Sequence, residues 1–115
     1  MIFRPETRNF RFKGKRMRLT QEQAQITKST VARVLGAESR VWLFGSRVDD
    51  DLRGGDIDLL VETDAQFPNR AKVLCNLYGA LILALGDRKL DVLLKDGRTS
   101  EAPVFNIARR TGVLL

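Results

Sequence analysis

A chain of 115 residues, 43% of them hydrophobic, is the size of one domain with a single core. It has no histidine and one cysteine, Cys75, which excludes an intrachain disulfide, histidine metal sites and Ser-His triads and argues against zinc. The net charge of +6 gathers at the start: residues 1–16 carry Arg4, Arg8, Arg11, Lys13, Lys15 and Arg16 against Glu6, and residues 17–115 are nearly neutral, so no nucleic-acid-binding body is expected.

Residues 1–16 read as a basic, flexible N-terminal extension that adds little to the core, and Met17 opens the domain proper, residues 17–115. A basic arm can bind nucleic acid, but an extension without that role is the favoured reading. The first residues lack the apolar centre of a signal peptide, and no apolar run is long enough to span a bilayer. A cytoplasmic protein without membrane contact is expected, and the lone cysteine fits a reducing compartment.

Thr20-Gln21-Glu22-Gln23 has the form of a capping box and predicts a helix start. Ala24, Val31, Val34 and Leu35 form its inward stripe, Ile26 falls off it, and Gly36 stops it. Val41-Trp42-Leu43-Phe44 predicts a buried strand, with Trp42 and Phe44 in the core. Ser46 is placed to cap a short helical turn, and Asp49-Asp50-Asp51 with Gly54-Gly55 makes a solvated loop. Residues 56–62 predict a second strand, with Ile57, Leu59 and Val61 on one face and Asp56, Asp58 and Leu60 on the other. Pro68 suits the first turn of a helix reaching Leu85, whose core face is Leu74, Leu77, Tyr78, Leu81 and Leu85; Cys75 is assigned to core packing. Residues 89–94 predict a third strand interrupted by Asp91, and residues 103–110 a closing helix ended by Thr111-Gly112. The order helix, strand, strand, helix, strand, helix gives an α/β (α+β) domain, a small mixed β-sheet with helices packed against it.

The charged interruptions of these strands carry the chemistry. Asp56 and Asp58 point the same way from one strand, with Cα atoms about 6.6 Å apart. Two carboxylates there repel and are costly to bury, and a divalent metal resolves both problems. Mg²⁺ takes hard oxygen ligands, usually one or two carboxylates plus substrate phosphates. If the third strand lies beside the second, Asp91 joins them, and three carboxylates can hold the metals of an in-line displacement at phosphorus. The alternative for Asp91 is a strand-end ion pair with Arg88 or Lys89. Gly45-Ser46, where a strand meets a helical turn, can cradle a phosphate through backbone N–H groups, with Arg47 on the phosphate oxygens; the plainer alternative is a turn with an N-cap serine.

Gly45-Ser46, nine intervening residues, Asp56-Ile57-Asp58 and a later strand aspartate resemble the nucleotidyltransferase superfamily associated with DNA polymerase beta. The short chain resembles its minimal nucleotidyltransferase branch. The likeness covers roughly residues 20–115, including a final helix and short strand over 102–115. It implies the nucleotidyltransferase fold, Mg²⁺, and a nucleoside triphosphate substrate, often ATP. On that resemblance Gly45 and Ser46 grip phosphate, Asp56 and Asp58 bind metal, Asp91 is the third carboxylate and base for the attacking hydroxyl, and Arg47 stands where many minimal members carry Arg. The spacer is one residue shorter than the family's usual one.

The branch also implies a partner, a small helical protein of the HEPN class, in a toxin–antitoxin pair and a homo- or hetero-oligomer. The expected activity is transfer of a nucleotidyl group, AMP from ATP, to a hydroxyl on that partner. The alternative is a non-catalytic antitoxin that neutralises its partner by contact; the complete carboxylate set argues against it.

Overall fold

The computed structural model describes residues 11–12, 15–16, 19–45, 57–86 and 89–115. In chain order these form β1 (Arg11–Phe12), β2 (Lys15–Arg16), α1 (Gln21–Leu35), β3 (Arg40–Phe44), β4 (Ile57–Glu62), α2 (Arg70–Leu85), β5 (Leu90–Lys95), α3 (Pro103–Thr111) and β6 (Val113–Leu114). β1 and β2 pair with each other as a separate antiparallel ladder, where the sequence reading gave residues 1–16 no regular structure. Among the described residues no helix is long and apolar enough to cross a membrane.

Thr20 caps α1 as its sequence predicts. Its hydroxyl accepts the Gln23 N–H at 3.0 Å, and the Gln23 side chain accepts the Thr20 N–H at 3.0 Å. Leu19 and Ala24, the two positions of a hydrophobic staple, are both buried. Ala24, Val31 and Leu35 face inward and Ile26 is exposed. Thr27 and Thr30 are buried on the same face. The Thr27 hydroxyl donates to the Gln23 carbonyl at 2.8 Å, which satisfies the polar group that burial would otherwise penalise.

The main sheet has the order β5-β4-β3-β6. β3 runs antiparallel to β4 and β6, and β4 runs parallel to β5. The parallel pair follows from the chain order, because α2 crosses between β4 and β5. Each face has its own core. Val41, Leu43, Ile57, Leu59, Val61, Leu90 and Leu94 meet Val31 and Leu35 of α1 and Leu77, Leu81 and Leu85 of α2. On the other face Leu60 packs with Phe105 and Ala108 of α3, and Trp42, Phe44 and Leu93 are half-buried beside them.

An ion network fixes α3. Arg109 contacts both Glu62 and Glu101, and Arg40 approaches Glu62 at 3.5 Å. Gly112 lets the chain pass from α3 into β6, since a Cβ there would stand 2.8 Å from the Leu43 carbonyl oxygen.

Several expectations are corrected. α2 starts at Arg70, and Pro68 precedes the cap. Asn69 is the N-cap, accepting the Lys72 N–H at 3.1 Å; its side chain satisfies an end donor, which proline cannot do. β5 begins at Leu90 rather than Lys89. Cys75 is exposed, and Tyr78 is 40% exposed rather than in the core. The Tyr78 hydroxyl instead donates to the Leu90 carbonyl at 2.6 Å, and Arg70 donates to the Leu94 carbonyl. Both bonds occupy acceptors of the edge strand β5, which blunts that edge against strand addition.

Asp96 ties the end of β5 to α2. It is buried; its Oδ1 accepts from the Thr99 hydroxyl at 2.8 Å and the Arg98 N–H at 3.0 Å, and Arg70 stands 3.6 Å from Oδ2. Burial pushes its carboxyl upward, but these hydrogen bonds and the Arg70 charge outweigh burial and hold it below the ordinary value. A depressed folded-state value contributes stability above the unfolded one, and that contribution is lost as pH falls through the folded one. Asp96→Asn is therefore expected to lower stability at neutral pH by about 1–2 kcal/mol. The gap from the native chain should narrow below about pH 4; melting temperatures across pH check it.

Candidate active site at the end of the sheet

β3 ends at Phe44, and Phe44 pairs with Asp58 of β4. On its other side Asp58 pairs with Asp91 of β5. The three residues form one row across three strands. Residues directly opposite on neighbouring strands share a face, so Asp58 and Asp91 project from the same side, with Cα atoms about 4.8 Å apart at the usual strand spacing.

That side is the α3 face. Two residues along each strand, Trp42, Leu60 and Leu93 belong to the group around Phe105 and Ala108. α3 covers this second row, while in the first Asp58 is half-buried and Asp91 exposed. The carboxylates thus stand where the covered face meets solvent. Among the described residues Asp91 forms no ion pair, with Lys89 included; Arg88 lies outside them.

Gly45 follows Phe44 directly and has φ +127°, a backbone that residues with a Cβ rarely adopt. The bend leaves the strand beside Asp58, and the absent side chain allows a ligand to come close to the main chain. The structure therefore brings together Gly45, Asp58 and Asp91. Ser46, Arg47 and Asp56 lie outside the described residues, as do Asp49, Asp50, Asp51, Gly54 and Gly55. Phe44, which the sequence reading assigned to the core, is half-buried beside Asp58.

The donor chemistry fits a hard cation. Two carboxylates at a separation of about 5 Å repel by about 1–3 kcal/mol for effective dielectric constants of about 80 to 20. A divalent ion turns that repulsion into attraction, and carboxylate oxygens suit Mg²⁺. Among the described residues no three acidic or thiol side chains form a metal-holding group; Asp56, the third member of the predicted set, is not one of them.

A separate cleft of about 240 Å³ lies at the opposite end of β3, lined by Lys28, Ala32, Ala37, Ser39, Arg40, Val41, Leu114 and Leu115. It offers cationic side chains and no side-chain carboxylate, so it suits a metal ion poorly. No protein-family model matches the chain, and no curated protein matches it.

Proposed function

We propose that the chain is a Mg²⁺-dependent nucleotidyltransferase, moving AMP from ATP to a hydroxyl on a small helical partner of the HEPN class, as the antitoxin of a toxin–antitoxin pair in the cytoplasm. The observation that carries the reading is the register of Asp58 against Asp91, next to the bend at Gly45. Two carboxylates in neighbouring register positions at one end of the sheet supply hard oxygen ligands to a shared cation. The resemblance of Gly45-Ser46 and Asp56-Ile57-Asp58 to nucleotidyltransferases supplies the rest.

Bound Mg²⁺ would neutralise triphosphate charge and polarise the phosphorus under attack. Asp56, Asp58 and Asp91 are the residues that would hold it. Gly45 admits a phosphate close to the backbone, with Ser46 donating its hydroxyl and Arg47 countering phosphate charge. Asp91, the more exposed carboxylate, is placed to accept the proton of the acceptor hydroxyl. The acceptor oxygen forms a bond to the α-phosphorus, the bond to the β-phosphate oxygen breaks, and pyrophosphate leaves. The exposed position of Asp91 suits an acceptor carried on another protein.

Coexpression with a small helical protein of the HEPN class tests the reading. Intact-mass spectrometry should show the partner heavier by one or more AMP units with the native chain and unchanged with Asp58→Asn. A partner that is neutralised without a change in mass would favour the contact antitoxin instead.

A further inference from the structure

Residues 73–85 carry no charged side chain, yet much of α2 faces outward. Cys75, Asn76 and Gly79 are exposed, and Leu83 is 88% exposed. A surface helix normally sets charged residues on its outer side. Gly79 sharpens the point. It lies mid-helix, and a Cβ there would meet nothing within 4 Å. Glycine in a helix interior costs about 1 kcal/mol relative to alanine, and nothing among the described residues requires it. Close approach of another backbone is what its missing side chain permits.

The charges at the helix ends identify the occupant. α2 has no acidic residue in its first turn and no basic residue in its last, and Lys72 in the first turn opposes the helix dipole. Lys72 precedes Gly79 by the same seven residues by which Gly86 follows it. Seven residues are nearly two turns, about 10.5 Å, so all three share the outer side. An antiparallel copy crossing at Gly79 brings each Lys72 to the negative end of the other helix at Gly86. The face is complementary to itself run backwards, at both ends at once.

We propose that the outer face of α2 binds a second copy of this chain, α2 against α2, antiparallel about a two-fold axis at Gly79. The proposal is independent of the chemistry at the sheet end. One helix about 24 Å long buries less than a standard interface of about 800 Å² per partner, so the dimer is weak, with a dissociation constant in the micromolar range.

Sedimentation equilibrium of the full chain tests this. The native chain should dimerise below about 100 μM. Leu83→Glu and Gly79→Leu, both at exposed positions, should weaken the dimer at least about tenfold while keeping the native circular dichroism. Lys72→Glu should weaken it about three- to thirtyfold while raising the melting temperature of the dilute monomer, because glutamate suits a helix N-terminus. A native chain monomeric at about 100 μM overturns the proposal. So does a dimer indifferent to Leu83→Glu and Gly79→Leu, which would place the contact elsewhere. A monomeric chain that uses Leu83 only to hold a different protein overturns it as well.

Discussion

Asp58→Asn is expected to lower nucleotidyl transfer by about a thousandfold or more, because metal-assisted charge stabilisation is worth several kcal/mol in such a displacement. Asparagine keeps the size of the side chain and removes its charge. The same change relieves repulsion with Asp91, its register partner. The metal-free mutant should keep the native fold, so that the loss falls on activity rather than on folding. The comparison needs transfer at saturating Mg²⁺ and ATP, and melting without metal. Transfer near the native rate would remove Asp58 from the metal ligands. A collapse of stability would show that Asp58 serves the fold.

Leu81→Ala is expected to cost about 2–5 kcal/mol, because Leu81 is fully buried between α2 and the sheet. For a domain of this size that lowers the melting temperature by more than about 10 °C. Cys75→Ser, on the outer side of the same helix, should change stability by less than about 0.5 kcal/mol. Thermal melts of dilute protein compare the two. Equal losses would mean that Cys75, and not only Leu81, is packed inside.

That contrast marks where the sequence was legible. α1 alternates apolar and polar residues at helical spacing, and its inward stripe, its cap and its stop at Gly36 were readable from local chemistry. β4 was readable for the same reason: Ile57, Leu59 and Val61 alternate with Asp58, so the period alone assigns faces. α2 offers no such contrast. With residues 73–85 uncharged, periodicity could not separate inward Leu77 and Leu81 from outward Cys75 and Tyr78. Tyr78 is drawn to the β5 edge by a carbonyl acceptor, a tertiary feature with no local signal.

Proline's preference for the first helical position suggested Pro68 as the start of α2. The Asn69 side chain bonding the Lys72 N–H decided it instead. Leu19 and Thr27 went unread because one precedes the helix and the other is polar. Thr27 falls at a position that α1 turns inward, and extending the stripe from Ala24 through Thr27 to Val31 would have found it. For the proposed site, the pattern of aspartates interrupting apolar strands singled out Asp58 and Asp91, which the structure sets in register. Their neighbourhood required the pairing of β4 with β5, which the intervening helix made the expected topology. Residues 46–56, with Ser46, Arg47 and Asp56, lie outside the described residues.

The most direct measurement of the proposed site is paramagnetic broadening of backbone amide resonances on adding Mn²⁺ with a non-hydrolysable ATP analogue to the full chain. Mn²⁺ takes the place of Mg²⁺ on oxygen ligands. A metal-nucleotide site at the sheet end should broaden Gly45, Asp58 and Asp91 first, and Asp58→Asn should abolish that pattern. Broadening centred on the Lys28–Arg40 cleft, or unchanged in Asp58→Asn, would contradict the assignment of the site.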